Sequence, residues 1–203
     1  MPPVVSDEYR ARKRSEIIEH ALICFAEKGF QAATIDDIVK HSKISKGSIY
    51  TYFKSKEEIY IALMNEKTVS STERLIEELT KYDNAIEKIS FIFDVYKMQA
   101  GRGTWMDTVK VHTEFYLHAS RDPELRQLLI DRAETYYNSV IINIIEEGKK
   151  TGEITSKSNP DVLARLFWSI INGVGFQYSA LEEQYPYEEV IEEAKEMFIA
   201  SLK

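Results

Sequence analysis

The chain has 203 residues, of which 44% are hydrophobic, with five prolines and eight glycines, a composition that excludes a disordered or fibrous protein and allows one large domain or two small ones. Its single cysteine, Cys24, excludes an intramolecular disulfide, and the lack of a long apolar run or an apolar N-terminal leader region predicts a cytoplasmic protein. The formal net charge of −7 divides into +2 through Lys54, where nine Lys and Arg face seven Asp and Glu, and −9 in the remainder, so only the N-terminal part suits binding to nucleic acid.

The N-terminal segment begins with two predicted helices. The first runs from about Asp7 to Lys28 with an apolar stripe at helical spacing, and Gly29 is a natural end. Thr34 to Asp37 has the pattern of a capping box and predicts a second helix to about His41. Basic side chains in the first helix either reach phosphates or simply face water; they are Arg10, Arg12, Lys13 and Arg14.

A short third helix follows a tight turn. Ser45 can cap a helix that starts at Lys46, and Ile49 and Phe53 are four residues apart, so they share one face. A helix of this length is not stable alone, so that apolar face must be held by its neighbours. Helix, tight turn and helix over 34–53 predict a helix-turn-helix supported by the first helix.

The rest of the surface of this third helix has the chemistry of a DNA-reading helix. Lys46 places charge at the helix start, and Gly47 lets the backbone approach a partner closely. Tyrosine rings and small hydroxyls can contact phosphates, sugars and base edges, with Ser48 and Thr51 as the candidates that choose the sequence. The predicted DNA contacts, including one phosphate-gripping residue on either side, are Thr34, Ser45, Lys46, Gly47, Ser48, Tyr50, Thr51, Tyr52, Lys54 and Lys56.

The remainder of the chain predicts helices only. A capping pattern at Ser55 starts a long helix through about Leu79, whose polar middle suits a connector between two domains, 1–56 and 57–203. Proline after an acidic or amide residue marks two further helix starts, at Pro123 and Pro160. We expect about nine helices and an all-α fold, with a three-helix N-terminal DNA-binding domain and a larger C-terminal domain.

Two sets of residues in the C-terminal domain are candidates for function. Aromatic residues and a histidine on the inner helices either form a ligand pocket, suited to a lipophilic or cationic compound, or simply fill the core. They are Tyr96, Trp105, His112, Phe115, Tyr116, Tyr136, Tyr137 and Trp168. The last two helices carry apolar faces that could assemble a four-helix bundle between two copies. The predicted interface residues are Leu163, Phe167, Ile170, Val174, Val190, Ala194, Met197 and Phe198.

Other chemistries find little support in the sequence. His112, Glu114 and His118 lie at offsets of two and six, which places them on different helical faces, so we predict no metal site. A Gly-rich phosphate loop, a nucleophile elbow and a Cys-x-x-Cys motif are missing from the sequence, so no cofactor is predicted and the protein is not expected to be an enzyme. An all-α enzyme is the alternative from that class.

The N-terminal motifs resemble a known family. The stretch Thr34 to Val39, followed by Ser45 to Phe53 and Lys54 to Glu58, resembles the DNA-binding domain of the TetR family of bacterial transcriptional regulators. The spacing of Phe25, Gly29, Phe30 and Thr34 is also similar to that family, and the resemblance covers about 14–63. By position it implies that Lys46, Gly47, Tyr50 and Tyr52 contact DNA and that Thr34 and Lys56 clamp phosphates.

The resemblance implies a function. It predicts a homodimer that binds a palindromic operator and responds to a small molecule sensed by the larger domain, most simply as a repressor that the ligand releases. The alternatives are an all-α protein-interaction adaptor, or a small-molecule-binding protein, without sequence-specific DNA binding. The sequence does not name the operator, the effector or the regulated genes.

Overall fold

The computed structural model describes residues 6–99 and 101–203, and at 67, 69–71 and 104 it describes the backbone alone. Within this part of the chain the fold is all-α, without strands, as predicted. The helices are α1 (Asp7–Lys28), α2 (Ile35–Ser42), α3 (Lys46–Tyr52), α4 (Lys56–Leu79), α5 (Ala85–Lys97), α6 (Gly103–Ala119), α7 (Pro123–Arg132), α8 (Ser139–Thr151), α9 (Pro160–Leu181) and α10 (Tyr187–Ser201).

One predicted helix is in fact three segments. The sequence predicts a single helix from Pro123 to Thr151, but α7 and α8 are joined by a π-helical turn, Ala133–Asn138. The wider turn keeps the helix continuous while shifting the register of its faces, and such turns are frequent at functional sites. This division accounts for ten α-helices among the described residues where about nine were predicted.

The N-terminal compact unit extends through Thr68. Its core is built from the apolar stripe of α1, the anchors of α2 and α3, and the first turns of α4. Phe30, just after α1, packs edge-on against both Phe25 and Tyr60, with ring centroids 5.2 and 5.6 Å away. Ile59 and Tyr60 are fully buried, so the start of α4 belongs to the same core as the three preceding helices. The unit therefore continues past Lys56, where the sequence places the end of the first domain.

The C-terminal compact unit covers the rest of the described chain from 69 onward. Phe93 on α5, Phe167 on α9 and Phe198 on α10 form an aromatic triangle at its centre, with centroid distances of 4.9, 5.4 and 5.9 Å. The Glu153 carboxylate accepts hydrogen bonds from the first two backbone N–H groups of α5, those of Ala85 and Ile86, at 2.8 and 2.9 Å. Carboxylates stabilise helix N-termini in this way, so the segment after α8 fixes the start of α5.

No helix among the described residues is long and apolar enough to cross a membrane.

Candidate functional site

The short helix α3 is held from one side only. Ile49 is fully buried and Phe53, which follows the helix, is 3% exposed, and the Ser45 hydroxyl accepts a hydrogen bond from the Ser48 N–H at 3.2 Å. Away from this anchored face, Tyr50 is 48% exposed. Because burying a tyrosine ring is favourable, a half-exposed ring on a short polar helix suits contact with another molecule.

The polar residues of α3 are held in place by exposed contacts. The Lys46 ammonium lies 2.8 Å from a carboxylate oxygen of Asp36 on α2, and this hydrogen bond raises the pKa of Lys46. Both partners are exposed, so the pair is weak and can exchange for a phosphate. The Thr51 hydroxyl donates to the Gly47 carbonyl at 3.0 Å, which leaves its oxygen as an acceptor and its methyl group as an apolar contact.

Gly47 faces open space. A Cβ atom added there would meet nothing within 4 Å. A glycine within a helix lowers the stability of the protein by about 0.5–1 kcal/mol relative to an alanine. Packing within the described chain therefore gives no reason for a glycine. A close approach of the α3 backbone to an external partner would explain the glycine, as the sequence suggests.

Thr34 acts as the cap of α2. Its hydroxyl accepts the Asp37 N–H at 3.2 Å and donates to the Asp37 carboxylate at 2.7 Å, which in turn accepts the Thr34 N–H at 3.0 Å. An ion pair of 2.6 Å with Lys28 on α1 completes the group. The Lys28 hydrogen bond, followed by those from Thr34, lowers the pKa of Asp37 to about 2. The Thr34 proton is thus used within the capping box, so its first role is to position α2.

Lys56 has a different role from the one predicted. Its ammonium donates to the carbonyl oxygens of Phe30, Gln31 and Ala33 at 2.7, 2.8 and 3.1 Å, and it lies 4.8 Å from the centroid of the Phe30 ring. An ammonium has three protons, and all three are directed to the loop between α1 and α2. We therefore correct the predicted phosphate clamp: the Lys56 side chain anchors this loop against α4.

Some basic residues of α1 have partners within the N-terminal unit, and others are exposed. Arg14 pairs with Glu66 on α4 at 2.7 Å and lies over the Phe53 ring, so it links elements of the unit. Lys13 pairs with Glu16 at 2.8 Å within α1 itself. Arg12 lies over the Tyr9 ring. Within 28–56, the exposed cations that have no side-chain hydrogen bond or ion pair to the described residues are the predicted contact Lys54 and, missed by the sequence reasoning, Lys40 and Lys43. Arg10 on α1 is likewise exposed without such a partner among the described residues.

In the C-terminal unit, part of the predicted pocket set does come together. Trp168 on α9 packs edge-on against Tyr96 and Tyr137, with centroids 5.9 and 5.5 Å away, and its indole N–H donates to the Tyr137 carbonyl at 3.0 Å. His112 and Tyr116 pack against each other one helical turn apart on α6, at 4.4 Å. Burial raises the pKa of Tyr96 and Tyr116, so both phenols stay neutral.

Arg132, which the sequence reasoning left out, joins these two groups. It is only 6% exposed, donates to the Tyr137 hydroxyl at 3.1 Å and lies over that ring. Burial, and then the positive charge of Arg132, lower the pKa of His112 to about 4. The signal was present in the sequence, because Arg132 lies three residues after Leu129 and four before Tyr136 and so belongs to an apolar helical face. We call Tyr96, His112, Tyr116, Arg132, Tyr137 and Trp168 the aromatic–arginine cluster.

Three predicted pocket residues lie elsewhere. Trp105 packs against Tyr178 and Tyr187, at 6.2 and 5.6 Å. Phe115 is fully buried, and its ring lies 6.1 Å from that of His118. Tyr136 is partly buried on the π-helical turn.

The predicted dimer interface needs a correction. Leu163, Phe167, Val174 and Phe198 are at most 8% exposed within a single chain, because they face the core between α5, α9 and α10. Of the other four, Ile170, Val190 and Ala194 are partly buried and Met197 is 66% exposed. Helical periodicity alone does not say which apolar face of a two-faced helix points inward.

The outward face of α9 carries a different stripe. Its members are exposed and small or apolar, spaced alternately by four and three residues, and we call them the α9 stripe: Val162, Leu166, Ser169, Gly173, Phe176 and Ala180. This spacing matches the seam of a coiled coil. A Cβ added at Gly173 would meet nothing within 4 Å, so another helix could approach closely there.

Histidine, cysteine and acidic side chains are the candidates for a metal site, which requires several of them around one point. Among the residues described, no group of three or more His, Cys, Asp and Glu side chains is arranged to hold a metal ion. His20 and His41 form a pair with their Nδ1 atoms 2.9 Å apart, which one imidazole donating to the other accounts for.

Comparisons with known proteins agree with the geometry. Residues 17–63 match the family described as bacterial regulatory proteins, tetR family, and 102–186 match a tetracyclin repressor-like C-terminal domain. The fatty acid metabolism regulator protein of Bacillus subtilis is 32% identical over 143 residues, which cover 70% of this chain and 71% of that protein. The HTH-type transcriptional regulator YfiR of the same organism is 27% identical, covering 86% and 83%.

The fold is also found among solved structures. The transcriptional regulator FadR from Bacillus subtilis, in complex with stearoyl-CoA, superimposes with a TM-score of 0.79 at 23% identity, covering 93% of this chain and 99% of that chain. A fatty acid degradation regulator FadR from Bacillus halodurans gives 0.79 at 19% identity, covering 92% and 94%.

Proposed function

The chain belongs to the TetR family of bacterial transcriptional regulators, a ligand-responsive DNA-binding family, and on that premise we propose that it represses its target genes as a homodimer whose two α3 helices read a palindromic operator. The observation that carries this proposal is the one-sided anchoring of α3. Ile49 and Phe53 are buried, whereas Gly47, Tyr50 and Thr51 face outward. Dimerisation would place the two α3 helices about 34–36 Å apart, one turn of DNA, or a multiple of it.

Tyr50 provides the direct test of operator binding. DNA selected from a genomic pool by the purified protein supplies the operator. Tyr50→Ala should then weaken binding by roughly 10–100-fold, the effect of one good contact, with an unchanged thermal unfolding midpoint. Tyr50→Phe removes the hydroxyl and keeps the ring, so its operator affinity shows which of the two makes the contact. A protein that selects no specific sequence from the pool overturns the proposal.

The α9 stripe supports dimerisation. Its spacing suits an antiparallel or parallel seam between two α9 helices, and the exposed Met197 on α10 could extend it. Phe176→Glu should give folded monomers in analytical ultracentrifugation, with operator affinity falling at least tenfold because each monomer reads one half-site. Ile76→Glu, at an exposed apolar residue outside the stripe, is the matched control and should remain dimeric. Dimers that persist in Phe176→Glu would place the interface elsewhere.

The aromatic–arginine cluster supports an effector with a long apolar part. Aromatic rings line an apolar ligand well. This supports the lipophilic half of the sequence expectation. The fatty acid metabolism regulator relative points in the same direction, and we therefore propose a long-chain acyl compound, such as an acyl-CoA, as the effector.

A ligand panel tests the effector class. Stearoyl-CoA should raise the thermal unfolding midpoint and release the operator, because a ligand that prefers the non-binding state shifts the population toward it. Coenzyme A without the acyl chain, and choline as a cation, are the matched controls and should do neither. An effect of choline without one of stearoyl-CoA would reverse the assignment.

Regulation of this kind needs binding alone. Two states with different α3 positions and a ligand that favours one of them are sufficient, so we propose no turnover of the effector. Recovery of intact stearoyl-CoA after prolonged incubation with the protein would support this, and its hydrolysis would contradict it.

A further inference from the structure

Lys43, in the turn between α2 and α3, has an unusual backbone. Its φ and ψ angles are 60° and 11°, in the left-handed region. Side chains with a Cβ are disfavoured there because the Cβ approaches a carbonyl oxygen, whereas glycine adopts the conformation freely. A lysine at this position therefore carries strain that a glycine would not.

The turn does not require the lysine side chain. The Lys43 N–H donates to the Val39 carbonyl at 3.0 Å, and the Ser42 hydroxyl accepts the Ile44 N–H at 3.1 Å. A glycine or asparagine would make the same backbone bond. The Lys43 side chain is exposed and makes no hydrogen bond or ion pair with the described residues.

The other strained residue provides a contrast. Among the described residues only Lys43 and Glu182 combine a positive φ with a side chain other than glycine. The Glu182 carboxylate lies 3.2 Å from the Lys110 ammonium, so that side chain has a partner within the chain. Lys43 has no equivalent contact to offset its strain.

The position of Lys43 relates it to the reading helix. It lies two residues before Ser45, the cap of α3, and its long stem carries the charge beyond the turn. Three of the neighbouring lysines are bound internally, Lys28 by Asp37, Lys46 by Asp36 and Lys56 by three carbonyls, whereas the side chains of Lys40 and Lys54 are not bound in this way by any described residue. At the start of α3, Lys43 thus presents an unneutralised positive charge.

We infer that Lys43 is a DNA-contacting residue, whose ammonium binds a backbone phosphate beside the groove that α3 enters. Such a contact carries no sequence information and fixes the depth and orientation of α3. The inference rests on the proposed operator binding by α3. The competing explanation is a solvated lysine whose charge only favours the C-terminal end of α2.

Salt dependence of operator binding separates the two explanations. Each phosphate contact contributes a slope of about −0.9 in log affinity against log salt. Lys43→Gly should raise the thermal unfolding midpoint by relieving strain, and yet weaken operator binding and reduce the slope by about 0.9. Between 50 and 200 mM salt the wild type should lose about threefold more affinity than the variant. Lys43→Gln should reduce the slope without the thermal gain, and Lys43→Arg should retain the slope.

Lys150, an exposed lysine at the end of α8, supplies the matched control, and Lys150→Gln should leave the slope unchanged. A Lys43→Gly protein that is more stable and has the wild-type slope overturns the inference. Wild-type protein that binds no operator would instead overturn the proposed function, so the two failures are distinguishable.

Discussion

The reading helix α3 and the aromatic–arginine cluster are built in opposite ways. On α3 only Ile49 is buried, and the functional candidates project outward from an anchored backbone. In the cluster, Tyr137 contacts both Trp168 and Arg132 inside the unit, so the candidates for ligand binding also pack the core. Substitutions on α3 should therefore separate function from stability, whereas those in the cluster should change both.

The largest expected difference is between Trp168 and Tyr50. Trp168→Ala removes ring contacts with Tyr96, Tyr137 and Phe167 and a hydrogen bond, so it should lower the free energy of unfolding by about 3–5 kcal/mol. Tyr50→Ala should change it by less than about 0.5 kcal/mol. Urea unfolding followed by far-UV circular dichroism measures both. Similar losses in the two variants would mean that α3 is part of the core after all.

Two lysines that the sequence predicts as DNA contacts, Lys46 and Lys56, should behave differently. Lys56→Met removes a charged donor from three carbonyls of the α1–α2 loop and should cost about 2 kcal/mol of unfolding free energy. Lys46→Met, at an exposed ion pair, should leave unfolding unchanged and weaken operator binding at low salt. Urea unfolding and fluorescence anisotropy of labelled operator give the two readouts. A stable Lys56→Met protein with a reduced salt slope would restore the phosphate clamp.

The cluster should also make stability depend on pH. The pKa of His112 is about 4 in the folded protein and 6.5 ordinarily, so between these values the unfolded state binds more protons. Stability should therefore be full above about pH 6.5, fall as the pH drops toward 4, and change by at most ~1.4 kcal/mol per pH unit. His112→Gln should flatten that part of the profile. His118→Gln, on the same helix, retains His112 and should keep the dependence.

The difference between the two regions also explains how far the sequence could predict them. Capping residues such as Thr34 and Ser45, with apolar anchors at helical spacing, act locally, so α2, α3 and the outward Tyr50 could be predicted. Arg132 and the inner face of α9 depend on which helices pack together, and the apolar period is the same for core, pocket and interface. Lys56 was misassigned because its partners lie more than 20 residues away along the chain.

Gly47 gives a small gain in stability and the sharpest separation of stability from operator binding. Gly47→Ala adds a Cβ into open space and should stabilise the protein by up to about 1 kcal/mol, because alanine favours the helix. The same methyl group would hold the backbone of α3 away from DNA, so operator affinity should fall in anisotropy titrations. Gly103→Ala, at the start of α6 and also facing open space, should leave operator affinity unchanged. If Gly47→Ala binds the operator as tightly as the wild type, the backbone of α3 does not approach DNA at this position, and the side chains of Tyr50 and Thr51 carry the contact alone.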